Sequence, residues 1–161
     1  MILLSDANVL LDLAPVGGLE YLLELGTVEV LDVVMSEVRR DPRIPDLKAL
    51  GFGIIAVQIP SVTASRAIAP KGLSLPDALC IAYCQQAGRV LLSNDKLMRN
   101  TAIAQRVEVH GTLWVVQELY RQQICQAALL CTWLEQWTAE LHAFLPRREL
   151  EQIRTELGCT I

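Results

Sequence analysis

The sequence predicts an α/β protein, a three-layer α/β/α sandwich whose central, mostly parallel five-stranded sheet is covered by helices on both faces. Short apolar segments alternate along the chain with longer segments of helical periodicity. The apolar segments are too uniform to leave one face of a sheet in water. A chain of 161 residues with a hydrophobic fraction of 52% is long enough to bury the core of one such domain.

The elements follow one another in a regular order. Strands are predicted at 2–5, 28–34, 54–59, 90–93 and 107–109. Helices are predicted at 9–13, 19–25, 35–40, 45–50, 62–69, 74–87, 94–105, 111–119, 124–144 and 147–157. Gly26 and Gly88 lie just past helix ends, where glycine often takes the left-handed conformation. Ser74 to Asp77 matches a capping box with proline in the first turn.

No repeat, low-complexity tract or linker divides the chain. We expect residues 1–120 to form the domain that carries the function, and residues 121–161 to form a helical extension packed on that domain. Within 124–144, apolar residues fall near helical spacing, with Trp133 and Trp137 beside them. Core packing is their expected role, and a dimer interface or a docking site for a partner helix is the alternative.

Charge and cysteine content limit the class of protein. The formal net charge is −4, so nucleic-acid contact must come from local basic residues or from metal bound to acids. The five cysteines contain no CxxC pair and only His110 and His142 are present, so we expect buried, reduced thiols rather than a zinc site. Asp6 and Asp12 interrupt the apolar start, and no run reaches the roughly 18 apolar residues of a membrane span. We expect a cytoplasmic protein without a signal peptide or membrane contact.

Three carboxylates are expected at one edge of the sheet, and a fourth, Asp77, could reach it. Asp6 directly follows the first strand, Asp95 follows the fourth, and Glu37 follows the second within one helical turn. Asp77 begins the helix that leads into the fourth strand. Ligands of open parallel sheets bind beyond the carboxyl ends of the strands. Clustered carboxylates repel one another, and their oxygens suit Mg²⁺ or Mn²⁺. We therefore predict that these four acids hold divalent metal and catalyse phosphodiester hydrolysis.

Each acid also has a purely structural interpretation. Asp77 and Asp95 suit helix capping, and Glu37, beside two arginines, suits a solvated helix surface. Asp6 is harder to explain structurally, because an acid directly after a buried strand is costly unless it is used or hydrogen-bonded. Other acids near the strands are interpreted as structural, namely Asp12, Asp32 and Asp46.

Four segments follow one another along the chain, namely residues 3–10 (LLSDANVL), 34–38 (VMSEV), 75–82 (LPDALCIA) and 90–95 (VLLSND). In this order they resemble the PIN-domain family of metal-dependent nucleases. Residues 107–113 (VEVHGTL) resemble a subgroup of small prokaryotic PIN proteins. The resemblance covers roughly residues 1–120, and its specificity lies in the combination of segments rather than in any one of them.

The resemblance implies a five-stranded parallel sheet and a ribonuclease directed at single strands, often the VapC-like toxin of a toxin–antitoxin pair. It assigns metal binding by Mg²⁺ or Mn²⁺ to Asp6, Glu37, Asp77 and Asp95, a supporting role to Ser93, and the place of a polar neighbour to Asn8. The expected partners are an RNA substrate, a cognate antitoxin protein and a second copy of the chain in a homodimer.

Basic side chains near these segments are candidates for contacting the RNA backbone, with ordinary surface charge as the alternative. They are Arg39, Arg40, Lys71, Lys96 and Arg99. Two other functions are considered. A phosphatase of the haloacid-dehalogenase type also begins with a strand ending in Asp, but it needs a second Asp where this chain has Asn8. A PIN-like module that binds RNA or protein with weak catalysis is the second alternative.

Overall fold

Five parallel strands form one sheet in the order β3-β2-β1-β4-β5 in the computed structural model, which describes residues 1–58, 63, 65–67, 69–140 and 145–160. The strands are β1 (Ile2–Ser5), β2 (Thr27–Leu31), β3 (Gly53–Ile55), β4 (Val90–Leu92) and β5 (Val109–His110). The central strand β1 pairs with β2 and β4. The predicted α/β class and its five-stranded sheet are confirmed.

Helices cover the sheet on both faces. They are α1 (Ala7–Leu13), α2 (Leu19–Leu25), α3 (Asp32–Val38), α4 (Leu47–Leu50), α5 (Leu75–Ala87), α6 (Lys96–Ala104), α7 (Thr112–Arg121), α8 (Ala127–Ala139) and α9 (Arg147–Glu156). The helix α7 packs against α1, α2, α8 and α9, and α1 also packs against α3. On the β4–β5 side, α5 packs against α6. The predicted three-layer arrangement is confirmed.

The core explains why the strand segments are uniformly apolar. Leu3 and Leu4 in β1 point to opposite faces of the sheet, and both are 0% exposed. The same holds for Leu91 and Leu92 in β4. Both faces of the central strands are therefore covered, as expected of a parallel sheet between two helical layers.

The second strand ends earlier than predicted. We expected a strand over 28–34, but β2 ends at Leu31 and α3 begins at Asp32. The buried residues of α3 are Val34, Met35 and Val38, which is helical spacing. Asp32 accepts a hydrogen bond from the backbone N–H of Val57 at 3.2 Å, which ties the start of α3 to the segment after β3. Tertiary packing thus overrides the β propensity of the valines.

Other boundaries differ by a few residues. The strand predicted at 54–59 is Gly53–Ile55, and Ile59 lies outside the described residues. Of the helix predicted at 62–69, residues 63 and 65–67 are described, and they are helical. The helix predicted at 124–144 is Ala127–Ala139, and residues 141–144 lie outside the described part of the chain.

The C-terminal helices belong to the core. Trp133 and Trp137 in α8 are each 2% exposed, which confirms the expectation of core packing for both. Trp133 meets the ring of Tyr21 edge-on, with centroids 5.7 Å apart. No helix among the described residues has the length and apolar character that crossing a membrane requires.

The expectation of five reduced thiols is wrong for two of them. Cys131 in α8 and Cys159 beyond α9 form a disulfide across a sequence separation of 28 residues. Cys80, Cys84 and Cys125 are free and buried, as expected. The two partners lie in the part of the chain without a strand framework, and their proximity depends on how α9 folds back onto α8, which spacing along the chain does not indicate.

We expect the disulfide to stabilise the fold by about 3–4 kcal/mol, the chain-entropy value for a loop of this length. Urea unfolding of the wild type should shift to lower urea when reductant is added. A double variant, Cys131→Ser with Cys159→Ser, should unfold at that lower concentration with or without reductant. Denatured, unreduced wild type should show the three thiols of the free cysteines. Five reactive thiols without reductant would contradict the bridge.

Candidate active site

Asp6 lies at the carboxyl end of the central strand and begins α1. Its backbone N–H donates to the carbonyl of Leu92 at 3.0 Å, which continues the pairing of β1 with β4. Its Oδ1 accepts the backbone N–H of Val9 at 2.9 Å, an N-terminal cap of α1. Asp6 is 3% exposed, so this carboxyl group is held in place and largely removed from water.

Burial raises the pKa of Asp6 to about 7, because desolvation penalises the charged form. Hydrogen bonds from the Ser93 hydroxyl and from the Val9 N–H lower it in part, and the charges of Asp77 and Asp12 raise it further. A buried acid beside other acids is the situation that a bound cation relieves, since positive charge stabilises the ionised form.

Asp77 lies in the first turn of α5, but it is not the residue that caps this helix. The cap is Ser74, whose Oγ accepts the backbone N–H of Asp77 at 3.2 Å. The carboxyl group of Asp77 hydrogen-bonds the side chain of this cap residue, as the capping-box interpretation anticipated in part. Desolvation raises its pKa, the hydrogen bond with Ser74 lowers it, and the charge of Asp95 raises it.

Asp95 does cap a helix, as its structural interpretation anticipated. Its Oδ1 accepts the backbone N–H of Met98 at 2.7 Å, which begins α6 and sets the orientation of the carboxylate. Asp77 acts on the pKa of Asp6, and Asp95 acts on that of Asp77. The three acids are therefore neighbours, and they are called the acid row below.

Ser93 contacts two members of the acid row, Asp6 and Asp95. It is 0% exposed, its hydroxyl hydrogen-bonds Asp6, and its Oγ accepts the backbone N–H of Asp95 at 3.2 Å. This arrangement agrees with the supporting role expected for Ser93. Asn8 is exposed on α1 and has no such contact within the described residues.

Glu37 is exposed on α3 and lines a hollow with Arg40, Asp41 and Arg43. It is not among the charges that shift the pKa of Asp6 or Asp77. Its role as a fourth ligand therefore remains a prediction.

The acid row fits a divalent ion in its chemistry, although it is not a complete coordination shell. Among the described residues, no three His, Cys, Asp or Glu side chains converge on one point as a metal site would require. In the same part of the chain, no Lys, Arg or His forms an ion pair with Asp6, Asp77 or Asp95. Mg²⁺ is commonly held by one or two carboxylates with waters or phosphate oxygens in its other positions. The acid row therefore supplies enough carboxylate ligands for such an ion.

A polar network supports the turn that carries Asp95. The Asn94 Nδ2 donates to Asp12 Oδ2 and to Thr112 Oγ1, both at 2.7 Å, and Asn94 Oδ1 accepts the Thr112 N–H at 2.9 Å. Trp137 Nε1 donates to the carbonyl of Asp12 at 2.9 Å. Burial raises the pKa of Asp12 to about 6, and the hydrogen bonds from Thr112 and Asn94 lower it in part. No role was predicted for Asn94 or Thr112, because polar residues at helix starts are too common to indicate a hydrogen-bond network.

The five basic candidates for RNA contact fall into separate places. Lys96 and Arg99 line one cleft together at the β5 edge of the sheet. Arg39 lines a groove with residues of α4, and Arg40 lies beside Glu37. Lys71 is exposed in the loop before α5.

Asp6 should make stability depend on pH. Its pKa is raised from 3.8 to about 7, so the folded chain keeps a proton that the unfolded chain releases between these values. The free energy of unfolding should fall as pH rises through this window, by about 4 kcal/mol for Asp6 alone. In EDTA, Asp6→Asn should therefore be more stable than the wild type at pH 8 and nearly equal at pH 4. Urea unfolding tests this, with Asp46→Asn as a control that changes an exposed cap. Equal stabilities at pH 8 would contradict the assignment.

Asn94→Ala should lower the free energy of unfolding by about 2–3 kcal/mol. The change removes the Asn94 Nδ2 group, which donates to the partly buried Asp12 and to Thr112. It also removes Asn94 Oδ1, so the Thr112 N–H loses its acceptor. Asn100→Ala, at an exposed site in α6, should change stability by less than about 0.5 kcal/mol. Thermal unfolding of the two variants makes the comparison, and similar losses would show that the network contributes little.

Solved structures share this fold. A PilT N-terminus domain protein from the hyperthermophilic archaeon Sulfolobus solfataricus P2 has a TM-score of 0.54 and 13% identity, over 74% of this chain and 94% of that chain. The protein PAE2754 from Pyrobaculum aerophilum has a TM-score of 0.54 and 17% identity, over 74% of this chain and 90% of that chain. At these identities the similarity concerns the fold. No curated protein matches the sequence.

A family model described as a PIN domain matches residues 2–158. The match spans every strand of the sheet and includes α8 and α9. It confirms the resemblance carried by the four segments that contain Asp6, Glu37, Asp77 and Asp95. This chain belongs to the PIN-domain family.

Proposed function

We propose that this chain is a metal-dependent endoribonuclease that hydrolyses phosphodiester bonds in single-stranded RNA. The observation that carries the proposal is the acid row. In it the charge of Asp77 raises the pKa of the buried Asp6, and the charge of Asp95 raises the pKa of Asp77. The row lies at the carboxyl edge of a parallel sheet, where such folds bind their ligands. Membership of the PIN-domain family supports the proposal, because PIN domains are commonly nucleases that use divalent metal.

In this proposal Asp6, Asp77 and Asp95 bind one or two Mg²⁺ or Mn²⁺ ions through their carboxylate oxygens. Bound metal supplies Lewis acidity and lowers the pKa of a coordinated water. Ser93 keeps Asp6 and Asp95 in register, and the bond to Met98 fixes the direction of the Asp95 carboxylate. We assign Glu37 as an additional ligand or as the base for the attacking water.

A catalytically weak PIN-like module that binds RNA or protein is the second candidate. The observations that favour it are the absence of a converged metal site among the described residues and the exposed position of Glu37 on α3. The two functions differ in metal affinity, because a module without catalysis has no need to hold Mn²⁺. Thermal unfolding with and without Mn²⁺ therefore separates them.

Asp95→Asn should abolish cleavage of a single-stranded RNA pool in Mg²⁺ or Mn²⁺, a loss of at least about 100-fold. The matched control is Asp46→Asn, because Asp46 caps α4 through the same contact, a bond from a backbone N–H three residues on. Asparagine is an equally good cap, so both variants should fold. EDTA should also abolish cleavage by the wild type.

Mn²⁺ should raise the unfolding temperature of the wild type and of Asp46→Asn, and raise that of Asp95→Asn less. Cleavage that survives in EDTA or in Asp95→Asn would contradict the proposal. A protein that neither cleaves RNA nor responds to Mn²⁺ would favour the binding module.

The proposal extends to the partners. We propose a toxin role, with a cognate antitoxin protein that restrains the nuclease and a homodimer as its working form. Expression of the chain alone should then arrest growth, and Asp95→Asn should relieve the arrest. Growth arrest that persists in Asp95→Asn would contradict a toxin that acts through the acid row, and a monomer by light scattering would contradict the dimer.

A further inference from the structure

A cleft of about 660 Å³ lies along the β5 edge of the sheet, where α6, β5, α7 and the start of α9 meet. We call it the aromatic cleft, and the residues that matter below are Asn94, Lys96, Arg99, His110, Trp114 and Glu149. Its volume is typical of clefts that bind small ligands and is large enough for one nucleotide. Both polar and apolar side chains line it, as a base joined to a phosphate requires.

One wall of the cleft is an aromatic surface. The rings of His110 and Trp114 stack with centroids 4.2 Å apart and an interplanar angle of 9°. His110 Nε2 lies 2.8 Å from Glu108 Oε1, which fixes the orientation of the imidazole. Within the described residues, no acceptor is bonded to Trp114 Nε1, so this donor is available to a ligand. Proteins bind unpaired bases by stacking them on aromatic side chains such as these.

The cleft also contains two cations, Lys96 and Arg99. In the described part of the chain neither of them forms an ion pair, although Glu149 also lines the cleft. A Cβ at Gly111 would lie 2.7 Å from Arg99 Nη1 and 2.5 Å from Asn94 Oδ1. The backbone thus approaches the guanidinium closely because residue 111 has no side chain.

The aromatic cleft adjoins the acid row. Asn94 lines the cleft, and the next residue, Asp95, belongs to the row. Arg99 Nη1 approaches the Ser93 carbonyl at 3.5 Å, and the Ser93 hydroxyl bonds Asp6. The cleft and the acid row therefore share the turn of residues 93–95.

We propose that the aromatic cleft binds one nucleotide of single-stranded RNA, with the base against the His110–Trp114 pair and its phosphate bound to Lys96 and Arg99. A base in a duplex is already stacked and paired, so the site selects unpaired strands. The inference rests on the proposed nuclease function in naming RNA as the ligand, but binding itself needs neither metal nor cleavage.

The test is fluorescence anisotropy with 5′-labelled RNA octanucleotides, one for each base, in EDTA at about 50 mM salt. Trp114→Ala should weaken binding about five- to a hundredfold, the range for loss of one base–aromatic stack. Trp114→Phe should retain most of the affinity, which separates loss of stacking from loss of folding. Lys96→Ala and Arg99→Ala should each weaken binding and reduce its salt dependence. Lys48→Ala is the matched control, because Lys48 is exposed on α4 near the opposite edge of the sheet.

Each result decides the proposal. A loss of affinity in Trp114→Ala and Arg99→Ala, with Lys48→Ala and Trp114→Phe near the wild type, supports it. Wild-type affinity in a folded Trp114→Ala overturns it, and so does the absence of binding to all four octanucleotides. If Trp114→Ala does not fold, wild-type affinity in both Lys96→Ala and Arg99→Ala overturns it. Binding through the cleft without metal-dependent cleavage would contradict the nuclease function and leave the binding site supported. Metal-dependent cleavage with an unchanged KM in Trp114→Ala would contradict the binding site and leave the nuclease function supported.

Discussion

The placement of Asp6 constrains the rest of the site. This carboxyl group at the end of the central strand is largely removed from water, so its charge must be stabilised by neighbours or its proton retained. The fold provides two hydrogen bonds, from Val9 and from Ser93, and also places Asp77 where its charge opposes ionisation. A structure selected only for stability would gain by replacing this acid with a neutral residue. The proposed function accounts for the acid, because a bound cation would stabilise its ionised form.

Parallel topology determines which residues join Asp6. Because β4 pairs with β1, the turns that follow these two strands lie side by side, which brings Ser93 and Asp95 to Asp6. The helix that leads into β4 contributes Asp77 from its first turn. The turn of residues 93–95 then serves three purposes, since Ser93 supports the acid row, Asn94 bonds the start of α7, and Asp95 begins α6. A change in this turn affects the acid row and helix packing together.

The sequence predicted the sheet and the three acids of the row because both depend on local pattern. Apolar runs identify the strands, and an acid directly after a run identifies the carboxyl edge. The direction of Glu37 depends on where α3 begins, which local pattern does not give. The start of α3 at Asp32 directs Val34, Met35 and Val38 into the core, and this helical phase leaves Glu37 facing outward. The disulfide, the Asn94 network and the aromatic cleft could not be predicted, since each joins residues that are distant in sequence and unremarkable in their local setting.

The C-terminal helices bear on the site as well as on the core. Trp137 in α8 bonds the backbone of Asp12, whose carboxylate accepts from Asn94, so α8 supports the turn that carries the acid row. The start of α9 forms the wall of the aromatic cleft that faces β5 and α7, and the disulfide from Cys131 to Cys159 joins α8 to the chain just beyond α9. The acids lie on the strands and helices of the sheet, but the surface beside them is completed by the last helix. If the aromatic cleft binds RNA as proposed, substrate selection changes through α9 while the carboxyl edge of the sheet stays the same.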